Sequence, residues 1–468
     1  MSGLIDLAIV GCGPAGMSAA VAAAEAGLAV VLLDDQPAPG GQIWRGVEAV
    51  AERGDLAIFG ADHAKGLAAV ARFRAAAVDY RPMARVVGIE DAPDGDGGEI
   101  MYVAAGAAYR LAARRVIIAT GAYERPTPFT GWTLPGVMSL GAAQIALKMG
   151  DLTPEPPFVL AGQGPLLLLL AAQLAAAGAA PSLVLRLDDP SARRRALWSG
   201  LAAAVLAPGA LAKGARWLAG LTGAVGNVTA IEAEGDGRLE RVRWRTANGE
   251  AGVAEAACLL VHDGVIPNAQ LTRAMRLPHC FDVGAYAWRP DAARGTGLIM
   301  ERRWAHVAGD CAGVKGWAAA AAMGRLAGAG AARSLGKRSP PSLSGFISLM
   351  RARALRPFLD RLYPPARAFR RPEDATLICR CEDVSAGEVR SAIALGAQGP
   401  NQLKAFTRAG MGACQGRMCA SIVANVIADA RGQTAQEIGL MRVRTPIFPI
   451  TLEEMAGLNE TPMTLPRS

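Results

Sequence analysis

An apolar run, Leu7 to Val10, opens straight into Gly11, Gly13 and Gly16, and an alanine-rich stretch then leads to a second apolar run, Ala29 to Leu33, that ends at Asp34. Strand, glycine turn, helix, strand and acid in that order strongly constrain the fold, because they make one unit of a parallel α/β sheet that cradles a dinucleotide. Each position has a task. Gly11 allows the tight turn, Gly13 lets backbone approach a pyrophosphate, and Gly16 brings the helix close to its strand. Pro14 suits a first helical turn, and Ala15 beside it adds little bulk. The helix N-terminus offers unpaired N–H groups and a positive dipole end to phosphate. The carboxylate of Asp34, with Asp35 as the near alternative, is placed to accept from ribose hydroxyls.

At 468 residues, 51% of them apolar, the chain is long enough for two or three domains with a sizeable core. Its formal charge of +8 permits nucleic-acid binding, yet aromatics are only 5% and the arginines are scattered. The charge therefore reads as solubility together with an anionic cofactor or partner, and no nucleic acid is expected. Asp6 stands where a signal peptide carries basic residues, and the glycine turn interrupts the apolar N-terminus. The run Val159 to Ala180 is long enough to suggest a membrane span, but GQGP near its start reads better as a second nucleotide-type turn entering a buried helix. The expectation is a cytoplasmic protein without a transmembrane segment; peripheral membrane contact stays compatible with it.

After Asp35 comes QPAPGGQIW, whose Gly41 and Gln42 form a loop like the GGQ loops beside the isoalloxazine in thioredoxin-reductase-like flavoproteins. Tyr80 to Ile89 and Glu99 to Arg110 read as two strands of a hairpin insertion around the turn-rich DAPDGDGG. In such flavoproteins the backbone at the place of Val86 lies near an adenine. Arg115 to Ala119 reads as a strand running into Thr120 and Gly121, which resembles the crossover between two dinucleotide-binding domains. Trp304 to Asp310 repeats the pattern of a strand ending in Gly-Asp, with a small-residue helix from Gly316 to about Leu326. By resemblance Gly309 and Asp310 close over a flavin's ribityl chain and pyrophosphate, and the three motifs together point to FAD.

A second α/β unit begins at PFVLAGQGPLLLLL. Gly162 and Gly164 recur at the expected offset, but Leu167 takes the third position, and Asp188 and Asp189 follow Arg186 without a clean ribose acid. This domain reads as degenerate toward NAD(P)H, with Leu166 to Leu170 as core. Ser344 to Arg371 reads as a basic helical linker ending in RRPEDA.

Beyond it, Cys379 and Cys381 form CxC, and Cys414 and Cys419 form CxxxxC. Between the pairs Ser385 and Glu388 make a capping box, opening a helix with Val389, Ile393 and Leu395 on its inner side. Four thiolates suit a 2Fe-2S cluster; zinc is the alternative metal, and free or paired thiols the third reading. Arg380, Lys404, Arg408 and Arg417 lie near enough in sequence to offset cluster charge, and Gly410, Gly412 and Gly416 leave N–H groups for its sulfurs. The arrangement resembles bacterioferritin-associated ferredoxin domains.

ATGAYERPTPFTGWTLPGVMSLGAAQ, VHDGVIPNAQLTR, the Gly-Asp motif and CRCEDV…GMGACQGRMC together resemble the α subunits of heteromeric opine oxidases, hydroxyproline and proline dehydrogenases and hydrogen cyanide synthase, over nearly the whole chain. The resemblance implies an α/β protein with two Rossmann-like dinucleotide-binding domains, the first discontinuous, and a small C-terminal helical 2Fe-2S domain. It divides the chain into residues 1–125 with 282–340 for FAD, 126–281 for the degenerate domain, a linker 341–374, a ferredoxin-like domain 375–432 and a tail 433–468. It implies an electron-transferring subunit of an oxidoreductase that takes amino acids, imino acids or opines to imines. The partner would be a glycine- or D-amino-acid-oxidase-like FAD β subunit, with a small ferredoxin-like subunit compatible. ATP in place of FAD, and an FMN shared at the partner interface, are the cofactor alternatives it leaves open.

Two other readings stand beside it: a free-standing NAD(P)H-dependent flavin reductase, and a nucleotide-stabilised structural subunit. No CxxC occurs in the second domain, so disulfide reduction is not expected. His63, His262, His279 and His306 are scattered and read as ordinary core or surface residues.

Overall fold

The computed structural model describes residues 5–93, 95–221, 223–293, 295–339 and 343–458. The first apolar run becomes the strand Ile5–Val10, hydrogen-bonded in parallel to Val30–Leu33 on one side and to the far half of Ala107–Ile118 on the other. Arg302–Val307 joins the other edge of Ala107–Ile118 in parallel, pairing His306 with Ile117. The first sheet thus draws strands from both ends of the first 310 residues, as a discontinuous domain requires. Leu7, Ile9, Leu32 and Leu33 are fully buried. Complete burial of each such side chain contributes about 1.5–3 kcal/mol, which is why these strands read as continuous apolar runs rather than alternating ones.

The alanine-rich helix Pro14–Glu25 packs against Trp317–Ser334. Small residues permit the close approach: a methyl group on Gly324 would sit 1.9 Å from the Ala15 carbonyl oxygen. The second of these helices extends well past the expected end near Leu326, since alanine carries it onward to Ser334.

Two other expectations are corrected. The stretch Tyr80 to Ile89 is two strands: Val78–Arg81 lies parallel to Val30–Leu33, and after a break at Met83 (φ 54°) Arg85–Asp91 begins an antiparallel meander. Glu99 to Arg110 is likewise divided, into Gly98–Ala104 and Ala107–Ile118, because Ala105 and Gly106 both take positive φ in a two-residue hairpin turn.

The second sheet has four parallel strands in the order Leu183–Arg186, Phe158–Gln163, Cys258–Asp263, Val137–Ser139. A short antiparallel pair, Ala122–Glu124 with Val265–Pro267, forms the crossover between the two sheets. The linker contains the helix Leu343–Leu362.

At the C-terminal end, Leu377–Cys379 pairs with Val384–Ser385, and the helices Ala386–Ala394, Pro400–Thr407 and Ala420–Arg431 enclose a core around Ile378, Val389, Leu403, Val423 and Met441. The Ser385–Glu388 capping box forms in both directions. Leu395 does not face inward; it caps the helix and is exposed, one residue beyond the last helical turn. Among the described residues no single helix is long and apolar enough to cross a membrane, while the bent pair Pro190–Leu206 and Pro208–Ala219 meets the length and composition criteria together.

Candidate functional site

The glycine turn is held shut by its neighbours. The Gly11 N–H donates to the Leu33 carbonyl at 2.8 Å, and the helix starts at Pro14 with Gly13 as its cap. A methyl on Gly16 would lie 1.8 Å from the Gly11 carbonyl oxygen, so only glycine allows the helix to begin this close to the strand. In front of the turn is a cavity of about 1170 Å³, larger than the roughly 300–1,000 Å³ typical of small-ligand pockets. Its wall includes Gly11, Gly13, Pro14, Ala15, Asp34, Asp35, Gly41, Gln42, Val86, Thr120, Gly121 and Asp310. Gly16 and Gly309 stand behind the wall; a methyl on Gly309 would come within 2.6 Å of the Ala15 β-carbon.

Asp34 is buried, and its Oδ2 has no hydrogen-bond partner among the described residues. Burial and the charge of Asp35 push its carboxyl up to about 7. An orphaned carboxylate oxygen at the end of the second strand fits an acceptor for ribose hydroxyls. Asp35, by contrast, already accepts from the Gln36 amide at 2.7 Å. Asp310 Oδ1 accepts from the Lys315 N–H at 2.9 Å, and burial pushes its carboxyl up as well.

Several residues that sequence reasoning passed over hold this wall in place. Lys148 is buried, and its ammonium donates to the carbonyls of Gln42 at 3.0 Å and Ile43 at 3.2 Å. Burial, with Arg45 nearby, pulls its pKa down to about 7. The sequence signal was a lysine directly after Leu147 on a helix whose Leu140, Ala143 and Leu147 are core. His262, read as an ordinary histidine, lines the cavity, and its Nδ1 lies 2.7 Å from Glu124 Oε1.

Beneath this pair the buried Arg125 donates to the Tyr286, Ala285 and Asp263 carbonyls. Asp263 in turn accepts from Gln163 at 2.8 Å and from the Ala366 N–H at 3.0 Å. The linker is thus tied to the second glycine turn through Gln163 and Asp263. Asp188, at the end of the next strand, is occupied by Arg193 at 2.7 Å and the Asn227 N–H at 3.0 Å. Leu167, Leu168 and Leu170 are core, but Leu166 and Leu169 line the cavity.

The four C-terminal thiols lie close enough to act on one another: Cys419 most strongly on Cys379 and Cys414 on Cys381, with Cys379 also acting on Cys381 and all three others on Cys419. The Cys419 thiol donates to Cys379 and, against the opposing effect of burial, pulls it down to about 6, helped by the Gly410, Glu382 and Cys381 N–H groups. A methyl on Gly412 would lie 2.2 Å from the Cys381 β-carbon, so the loop closes on the thiols only with glycine there. Among the described residues no group of three or more His, Cys, Asp or Glu side chains is arranged to hold a metal ion. As a donor set, four cysteines are of the type that holds a 2Fe-2S cluster.

Of the four cations near in sequence, Arg408 is taken by Glu382 at 2.7 Å, Arg380 lies over the Trp132 ring and Arg417 over Phe448. Arg380, Arg417 and Met418 also line the large cavity, together with the first glycine turn's motif residues.

A fold of two parallel dinucleotide-type sheets around such a cavity defines a flavoprotein-type oxidoreductase, and residues 5–324 match the family described as pyridine nucleotide-disulphide oxidoreductase. Residues 373–458 match the sarcosine oxidase A3 domain. The chain is 39% identical to the opine oxidase A subunit of Agrobacterium tumefaciens (strain Ach5), across 99% of this chain and 94% of that one. It is 34% identical to the HcnB subunit of hydrogen cyanide synthase from Pseudomonas aeruginosa, across 96% and 98% respectively. The crystal structure of L-proline dehydrogenase from P. horikoshii shares the fold, with a TM-score of 0.71 at 20% identity over 97% of this chain and 79% of that one. The chain belongs to the pyridine nucleotide-disulphide oxidoreductase family, in the group of opine oxidase A subunits and HcnB. It is an oxidoreductase, and a flavin is the cofactor this family implies.

Proposed function

We propose that this chain is the electron-transferring subunit of a heteromeric dehydrogenase or oxidase that takes an amino acid, imino acid or opine to an imine, with the first carbon–nitrogen oxidation made on a partner subunit resembling glycine oxidase. The reading assigns a flavin nucleotide to Gly11, Gly13, Pro14, Ala15, Gly16, Asp34, Gly41, Gln42, Val86, Thr120, Gly121, Gly309 and Asp310, and a 2Fe-2S cluster to Cys379, Cys381, Cys414 and Cys419. It keeps the division into a discontinuous nucleotide domain, a degenerate second domain, a strapping linker and a ferredoxin-like domain. When bound, a flavin exchanges electrons in pairs or singly and a cluster one at a time.

The observation that carries the reading is one cavity wall made by both parts. Its lining includes Gly11 to Ala15 and Thr120 to Arg125 as well as Arg380, between the CxC cysteines, and Arg417 and Met418, between the later two. Asp34 supplies the ribose acceptor, and the helix that begins at Pro14 supplies N–H donors to phosphate. Lys148 fixes the Gln42 loop against the second domain, and Glu124 fixes His262 in one ring orientation at the cavity. The second domain's own acid, Asp188, is spent on Arg193 and Asn227, and the linker binds Gln163 and Asp263, which argues against a nicotinamide donor there.

The test is dye reduction by the complex that co-purifies with the full chain. Cys379→Ser is expected to abolish dye reduction while the partner still oxidises substrate in a single turnover; unchanged dye reduction overturns the relay role. Rapid flavin bleaching by NADH or NADPH without any partner would instead favour a free-standing reductase.

A further inference from the structure

Arg273 lies on the short helical turn Gln270–Ala274, more than a hundred residues before the cysteines in sequence, yet it is built into their loop. Its Nη2 donates to the Met441 carbonyl, and its Nη1 donates to Gln270 Oε1 at 3.1 Å. Gln270 in turn donates through Nε2 to the carbonyl of Cys414 at 3.2 Å. Met441 fills the space above the cysteine loop's glycines: a methyl on Gly416 would lie 2.8 Å from its sulfur. The guanidinium thus makes two hydrogen bonds, one to the Met441 carbonyl and one to Gln270, which itself reaches the cysteine loop.

No carboxylate pairs with Arg273 among the described residues. Burial lowers its pKa, and the groups that act the other way are Tyr123 and the Cys419 thiol. The residue lines a small cavity of about 40 Å³ beside Tyr123, Trp288 and Ala420, the residue that follows Cys419. Arg273 is half-buried, and a partly desolvated cation without a counter-anion is costly unless the missing charge arrives with a ligand. Four thiolates with two ferric ions and two sulfides carry a net negative charge, which grows by one on reduction. Lys404, whose ammonium donates to the Arg442 carbonyl at 2.7 Å, adds a second positive charge, on which the Cys419 thiol acts as it does on Arg273.

We infer that Arg273 is a positioning residue and a counter-charge of the four-cysteine site, holding the cysteine loop through Gln270 and Met441 and favouring the reduced state of the metal centre bound there. This rests on the 2Fe-2S reading of the site. A positive charge held near a redox centre stabilises the more negative of its two states, and charge and hydrogen bonds around a cluster are principal determinants of its potential.

The experiment is a spectroelectrochemical titration of the full chain, purified anaerobically, with iron and sulfide measured on each sample. Arg273→Gln removes the charge and keeps a hydrogen-bonding head; Arg273→Lys keeps the charge and loses the fork. The expected result is iron retained in both, with the Gln variant's midpoint lowered by a tenfold or greater change in the reduction equilibrium, about 59 mV for one electron, and the Lys variant near wild type. An unchanged midpoint in an iron-loaded Gln variant overturns the inference. Should the Gln variant fail to load, Arg273→Lys decides: a midpoint near wild type supports the counter-charge, and one displaced downward overturns it. Wild-type chain carrying zinc, or no iron and sulfide, removes the cluster reading itself, and the counter-charge role with it.

Discussion

The Lys148 ammonium donates to the Gln42 carbonyl at 3.0 Å, so a buried amine from the second domain's first helix holds the loop that borders the nucleotide cavity of the first. Burial, with Arg45 adding to it, lowers its pKa from an ordinary 10.5 to about 7. The unfolded chain thus binds more protons between those values, and stability rises with pH across that window. Below about pH 7 the cost of charging the buried amine is fully present. Lys148→Met is expected to flatten the rise in melting temperature between about pH 7 and 10. At pH 9 it should also lower stability by roughly 1–3 kcal/mol, because the Gln42 and Ile43 carbonyls lose their donor. Thermal unfolding of both proteins at several pH values checks this.

Asp34 gives the opposite sign. Its carboxyl is raised from 3.8 to about 7 by burial and Asp35, so the ligand-free fold binds the extra proton and its contribution to stability is lost as pH rises from about 4 through about 7. Asp34→Asn is expected to remove that fall. It should also weaken flavin-nucleotide binding about tenfold to a hundredfold, from the roughly 1.5–3 kcal/mol of a hydrogen bond to a charged group. Titration calorimetry of the flavin-stripped chain with FAD and with ATP measures the second effect and ranks the two nucleotides.

Gly16→Ala tests the close approach of helix and strand. The added methyl would meet the Gly11 carbonyl oxygen at 1.8 Å, a backbone atom that cannot rotate away. The turn must open, with a loss of about 1–3 kcal/mol typical of overpacking, and bound flavin should fall sharply. Flavin absorbance per chain and urea unfolding read the two consequences separately.

Arg125 and Asp263 are both buried, and their side chains lie 3.8 Å apart. Removing one member of such a pair leaves an uncompensated interior charge and costs about 3–5 kcal/mol. Asp263→Ala also removes the acceptor for the Ala366 N–H and releases the linker. The expected outcome is a large drop in the urea midpoint together with faster proteolysis between residues 362 and 376, followed by mass spectrometry.

Gly412→Ala probes the thiol loop alone. With only 2.2 Å between the new methyl and the Cys381 β-carbon, that cysteine is displaced while the two sheets are untouched. Iron per chain should fall several-fold with flavin content unchanged, both read from one preparation by metal analysis and absorbance.

Much of the fold was legible because local rules carry it. Leu7 to Val10 and Ala29 to Leu33 announce buried parallel strands, and Ser385 with Glu388 announces a helix start that forms as a full capping box. The departures fall where turns are short. Ala105 and Gly106 reverse the chain in two residues, and Met83 takes a positive φ that its side chain gives no reason to expect. Periodicity places Leu395 inward, but the helix ends first.

By itself the sequence determined which backbone positions must be glycine, where the acid follows the second strand, and that four cysteines fall in two close pairs, because each of these is a matter of spacing along a few dozen residues. Only the tertiary structure decided which thiols act on one another and that Arg273, Gln270 and Lys148 support the two sites. It also decided that Asp188 and Asp263 are spent inside the fold. Most of those contacts join residues more than thirty and up to about 170 positions apart, and a side chain that acts across such a separation leaves no period or motif in its own neighbourhood, since its partner is chosen by packing and by the need to satisfy buried charge.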